Sequence, residues 1–214
     1  MKPARRVLRR AGFTLLELLA VILIIAVLAT VLITQLGGAE DAANAVSTKN
    51  FLQTLEVIIA EYEQENGAYP PSSFSSEQGV PNDGDNVGVE ALVVALFSKG
   101  WEAGGHDIDD DRFGNTDGDL SSRSLTDFGN RKLLEFVDHW GNPIVYMHRV
   151  DYGNSSRVYT TVSADGEVLR EFPKAYKDPV KGRYYKHSRF QLISAGADGL
   201  FNTEDDLCNF EHVE

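Results

Sequence analysis

The 214-residue chain carries 32 acidic against 20 basic side chains, a net charge of −12, and a single cysteine, Cys208. That balance excludes a nucleic-acid partner, because a phosphate backbone demands a basic surface. A lone cysteine excludes an internal disulfide, and its own reading is a partly buried apolar side chain near the carboxyl terminus.

Charge is distributed unevenly at the amino terminus. Arg5, Arg6, Arg9 and Arg10 precede Gly12, whereas residues 13–36 contain one charged group, Glu17. As a helix this apolar stretch extends about 36 Å, enough to cross a hydrocarbon core about 30 Å thick. The flanking arginines keep its start cytoplasmic, so everything after Leu36 is expected outside. Glu17 is the anomaly, since an ionisable group inside a membrane-length helix costs about 2.5–3.5 kcal/mol on insertion scales and calls for a partner.

An ordinary secretory signal, with Ala43-Asn44-Ala45 as its cleavage site, would have an apolar core of only about 7–15 residues. A plain anchor leaves Glu17 unexplained. Cleavage between Gly12 and Phe13 accounts for both features, because it creates an α-amine at Phe13 with Glu17 four residues later. The carboxylate then meets that amine on its own helix or on a neighbouring subunit, where it sets register on assembly.

The run Ala11-Gly12-Phe13-Thr14-Leu15-Leu16-Glu17-Leu18-Leu19-Ala20-Val21 resembles the class III signal of type IV pilins and type II secretion pseudopilins. The resemblance implies a prepilin peptidase that cuts after Gly12 and methylates Phe13, and a filament whose core is packed from these helices. Removing residues 1–12 deletes five basic residues and takes the net charge from −12 to −17.

Beyond the apolar stretch, Phe51, Leu52, Leu55, Ile58, Ile59 and Tyr62 recur at helical spacing, an amphipathic continuation that the Gly37-Gly38 pair is expected to loosen or bend. Asn66-Gly67 and Tyr69-Pro70-Pro71 end it. The expected organisation is a leader over 1–12, a transmembrane and filament-core helix over 13–36, its continuation over 37–66, and a head over 67–214. About 150 residues suffice for a single core in that head.

Within the head, Ser72 to Asn86 reads as a loop and Val89 to Lys99 as a second helix. The acidic, glycine-bearing stretch Asp107 to Asp127 reads as a surface loop. Segments 143–149, 158–163, 167–172 and 189–194 read as strands, with Ala164-Asp165-Gly166 turning a hairpin. The fold class is therefore α+β, a long amino-terminal helix packed on a small antiparallel sheet.

Two motifs narrow the reading. Asp138-His139-Trp140-Gly141-Asn142-Pro143-Ile144-Val145-Tyr146 is similar to the D-x-W-G-x-P-Y stretch of type II secretion major pseudopilins. Its role is structural, with Trp140 as an apolar filler packing head onto helix.

The second motif is Ser194-Ala195-Gly196-Ala197-Asp198-Gly199 followed by Asn202-Thr203-Glu204-Asp205-Asp206. On residue chemistry it is either a solvated acidic turn or a source of the hard oxygen ligands that calcium takes. It resembles the calcium loop of the major pseudopilins, which implies side-chain ligands from Asp198, Asp205 and Asp206 and carbonyls near Ala195 and between Leu200 and Thr203. Asp107, Asp109, Asp110, Asp111, Asp117 and Asp119 fail the EF-hand pattern, with Arg112 at the glycine position and Gly118 at the glutamate position. They read as a charged loop and leave a second ion open.

Catalysis has no support. His106, His139, His148, His187 and His212 are scattered, and neither a nucleophile elbow nor a phosphate loop is present. The resemblance implies a non-enzymatic subunit of a type II secretion pseudopilus, single-pass in the inner membrane with its head in the periplasm. It self-assembles as a homo-oligomeric filament with other pseudopilins and the inner-membrane secretion platform, and helps export folded proteins. The alternatives are a type IV pilin or minor pilin, or a membrane-tethered calcium-dependent binding domain.

Overall fold

The computed structural model describes residues 13–212, without the side chains of residues 31–37. Two compact units divide after Ala42. The leader over 1–12, and Gly12 with it, lies outside the described residues, as do the side chains of residues 31–36 in the expected span. Among the described residues no helix is long and apolar enough to cross a membrane.

Helix α1 covers Leu15–Asn66, through the glycine pair. In the first unit its apolar side chains are uncovered, from Leu15 at 82% exposure to Leu28 at 57%. In the second unit Phe51, Leu52, Leu55, Ile58 and Ile59 are buried, as their spacing predicts, and Tyr62 packs against them. The helix ends where Gly67, at φ +73°, donates its N–H to the Glu63 carbonyl at 2.8 Å, while the Asn66 amide caps the Tyr62 carbonyl at 2.9 Å. A left-handed glycine after the last turn is what stops it.

Helix α2, Val87–Leu96, starts two residues earlier than expected and is buried almost all round. A helix without a polar face belongs inside a core. Strands β1 (Phe113–Gly114) and β2 (Glu135–Phe136) form a short ladder beside it.

Strands β3 (Val145–His148), β6 (Phe190–Ser194) and β7 (Leu207–Cys208) make a three-stranded antiparallel sheet in the order β3-β6-β7. Register places Val145 opposite Ile193 and Ile193 opposite Cys208. Strands β4 (Tyr159–Val162) and β5 (Val168–Glu171) form the expected hairpin. The fold is α+β, with three small antiparallel sheets in place of a single one.

Two expectations need correction. Asp107 to Asp127 is not a surface loop throughout. Arg112 is 8% exposed, stands 5.0 Å over the Phe51 ring and donates to Ser47 Oγ at 3.2 Å, while Phe113 packs against Phe97, Phe128 and Phe136. Neighbouring aspartates at 107 and 109–111 stay exposed, so composition masked the inward-facing residues. Trp140 is half-buried and outside the core cluster rather than a core filler, and His139 beside it meets α1, donating its backbone N–H to Thr48 Oγ1 at 3.2 Å.

Candidate functional site

At the start of α1, Glu17 and Thr14 satisfy each other. Thr14 donates its backbone N–H and its hydroxyl to Glu17 Oε2, each at 2.8 Å, and the Glu17 N–H returns to Thr14 Oγ1 at 3.2 Å. This is a capping box, which quiets donors that a helix start otherwise leaves unpaired. The T-x-x-E spacing carried that signal, yet membrane cost alone drew attention to Glu17. The Glu17 carboxylate is thus satisfied by Thr14 on its own helix.

In the head, the two motifs come together on one buried carboxylate. Asp138 is 2% exposed; its Oδ1 accepts the N–H groups of Trp140 and Asn142 at 2.9 Å each, and its Oδ2 accepts the Ser194 hydroxyl at 2.7 Å. Ser194 Oγ in turn accepts the Gly196 N–H at 3.2 Å. Burial raises the Asp138 pKa to about 6, against the pull of Ser194 and the backbone donors. Asn142 adds a two-way clasp on Val162, donating at 3.2 Å and accepting at 2.7 Å. Sequence reading assigned Asp138 and Ser194 no function of their own; their bond couples the W-G-x-P turn to the aspartate loop.

Glycine is required in that loop. Gly196, at φ +63°, would place a Cβ 2.4 Å from the Asp205 carbonyl oxygen, and Gly199, at φ +73°, would place one 2.2 Å from the Val162 carbonyl oxygen. The backbone therefore folds closely around the acids.

Asp198 Oδ1 accepts the Leu200 N–H at 2.7 Å, and Asp205 Oδ2 accepts the Asp198 N–H at 3.0 Å. Asp205 Oδ1 accepts the Thr203 hydroxyl at 2.7 Å, and Asp206 Oδ2 accepts the Asn202 N–H at 2.8 Å and the Tyr176 hydroxyl. The three aspartates expected to hold calcium thus share one loop, with their oxygens turned largely to its own donors.

One atom stands apart. Asp206 is 4% exposed and its Oδ1 is buried without a hydrogen-bond partner. Burial lifts its pKa to about 7, and the charges of Asp205 and Asp198 add to this against the hydrogen bonds from Tyr176 and Asn202. A buried carboxylate oxygen with no donor, in a loop that also carries Asp198 and Asp205, is chemistry that suits a hard cation. Cys208 is buried in β7, as expected of an apolar filler, and burial raises its thiol pKa.

Residues 8–33 match the family model described as the prokaryotic N-terminal methylation motif. The type II secretion system core protein G of Aeromonas hydrophila is 33% identical over 202 residues, covering 94% of this chain and 93% of its own length. The chain belongs to the core protein G family. The core protein G of Escherichia coli K12 is 25% identical over 202 residues, across 94% of this chain and 92% of its own. That of Pseudomonas aeruginosa is 28% identical over 143 residues, across 65% and 74% respectively. No solved structure matches the chain. In this core protein G homologue the methylation motif spans Glu17 and its cap, while the similarity to the Aeromonas protein extends over nearly the whole chain.

Proposed function

We propose that the chain is a pseudopilin, a structural and non-catalytic subunit of a type II secretion filament. Prepilin peptidase cuts it after Gly12 and methylates Phe13. The helix from Phe13 anchors it in the inner membrane with its head in the periplasm. Copies then leave the membrane and pack by this helix, with other pseudopilins and the inner-membrane secretion platform, into a filament that helps export folded proteins.

The observation that carries this reading is the uncovered apolar start of α1. Phe13, Leu15 and Leu16 are 79%, 82% and 79% exposed, in a chain that matches core protein G almost end to end. Burying such side chains is worth about 1.5–3 kcal/mol each, so they need lipid or sister helices around them. Glu17 pairs with the liberated amine of a neighbour, exchanging its capping role for an intersubunit one.

Asp198, Asp205 and Asp206 hold calcium, with Asp206 Oδ1 as the atom that lacks any other partner. The ion's task is to cross-bridge a loop of like charges and fix the surface it presents to the next subunit.

Mass spectrometry of the protein from cells carrying the secretion system should give a mature chain that starts at methylated Phe13. Glu17→Ala should insert into the membrane and fail to enter filaments, whereas Thr14→Ala, which removes only the cap, should still assemble. An uncut functional chain, or normal filaments from Glu17→Ala, would sink the proposal.

A further inference from the structure

A second group of acids lies away from the aspartate loop, where α2, the 107–127 segment and β2 meet. Carboxylate oxygens of Glu90, Asp117 and Glu135 all fall within 4.8 Å of one another. Glu90, on α2, is 1% exposed, and neither of its oxygens has a hydrogen-bond donor. Glu135, on β2, is fully buried and takes the Asn86 amide at 2.9 Å and the Thr116 N–H at 3.1 Å. Asp119 Oδ1 is also buried and unpartnered, as is the side-chain oxygen of the adjacent loop residue Asn115.

Among the described residues no lysine, arginine or histidine forms an ion pair with any of these four acids. The neighbouring Asp85 is engaged by Arg170 at 2.8 Å. Burial, with the surrounding carboxylates, pushes Glu90 up to about 10. Burial is also the main reason that Glu135 rises to about 7 and Asp119 to about 6. A buried carboxylate that lacks donors and cations must be neutralised, either by a proton or by a metal ion.

We propose that Glu90, Asp117, Asp119 and Glu135 form a second cation site that takes calcium. The donors are all oxygen, which selects a hard ion over zinc or copper. More than one acid points at a common centre, and a single shared proton leaves the remaining charges opposed. A cleft of about 210 Å³, lined by Glu90 and Asp119, gives the ion a way in. Bound there, it ties the acidic segment to α2 and β2 and so fixes one side of the head.

Equilibrium dialysis of the full-length protein in detergent, stripped with chelator and titrated with calcium alone, tests this. The Glu90→Gln variant should lose one equivalent of calcium relative to wild type, and Asp206→Asn should keep that equivalent. Calcium should raise the Tm of Asp206→Asn, and this rise should vanish when Glu90→Gln is added. Should Glu90→Gln misfold by circular dichroism, Asp119→Asn reads the same site, with an expected loss of at least tenfold in affinity.

Calcium stoichiometry unchanged by both Glu90→Gln and Asp119→Asn overturns the site in favour of a shared proton. So does a wild-type protein that binds no calcium. Loss of an equivalent on Asp206→Asn alone speaks only to the carboxyl-terminal loop, so the two sites fail separately.

Discussion

The head contains two acidic regions that look alike in composition and differ in what surrounds their oxygens. Around Asp198, Asp205 and Asp206 the chain turns its own N–H and hydroxyl groups inward, leaving one buried oxygen, on Asp206, unpartnered. Around Glu90, Asp117 and Glu135 the carboxylates face one another, and Glu90 has no donor at all. The first region owes its shape to the backbone and the second to charges that something else must balance. Acidity in a sequence is thus uninformative until the donors are located.

The sharpest way to break this contrast is through glycine. Ala at Gly199 meets the Val162 carbonyl at 2.2 Å, and Ala at Gly196 meets Asp205 at 2.4 Å, each from a left-handed backbone. Either substitution should cost at least about 4 kcal/mol in urea unfolding, because carbonyls in a clasped loop have nowhere to go. A cost below about 2 kcal/mol would mean that the loop is not shaped by close backbone approach.

Next in size is Asp138→Ala, which strands the N–H groups of Trp140 and Asn142 and the Ser194 hydroxyl inside the head. A loss of about 3 kcal/mol is expected from these unsatisfied groups. A double-mutant cycle with Ser194→Ala should return at least about 1 kcal/mol of coupling. Additive effects would show the two motifs to be independent.

Calcium ranks third. At a concentration 100-fold above its Kd, the ion should stabilise the head by about 2.7 kcal/mol for one site. Chelation should then expose the Asn202 to Asp206 stretch to protease before any other part of the head. Unchanged digestion would remove calcium from that loop.

Much of this was legible beforehand, for identifiable reasons. The α1 stripe from Phe51 to Ile59, the cap at Gly67, helix α2 and the β4–β5 hairpin all rest on local periodicity or turn chemistry, which neighbours did not override. Strands β1, β2 and β7, each of two residues, were missed because their pairing is non-local and too short for an alternating pattern. The loop aspartates could be named from spacing, but not their donors. Tyr176 reaches Asp206 from 30 positions away, and Asp138 reaches Ser194 from 56. Glu90 was invisible as a ligand because it sits on an otherwise apolar helix, and only the fold brings it to Asp117 and Glu135.

The smallest expected effect is the control for the largest. Gly118 lies between Asp117 and Asp119 with φ +77°, as left-handed as Gly196, yet a Cβ there meets nothing within 4 Å. Gly118→Ala therefore pays the conformational penalty alone, about 1–2 kcal/mol. If it instead costs as much as Gly196→Ala in the same urea titration, left-handed geometry and not close approach governs both regions. Equal costs would also leave no backbone difference between the clasped aspartate loop and the charge-crowded segment under α2.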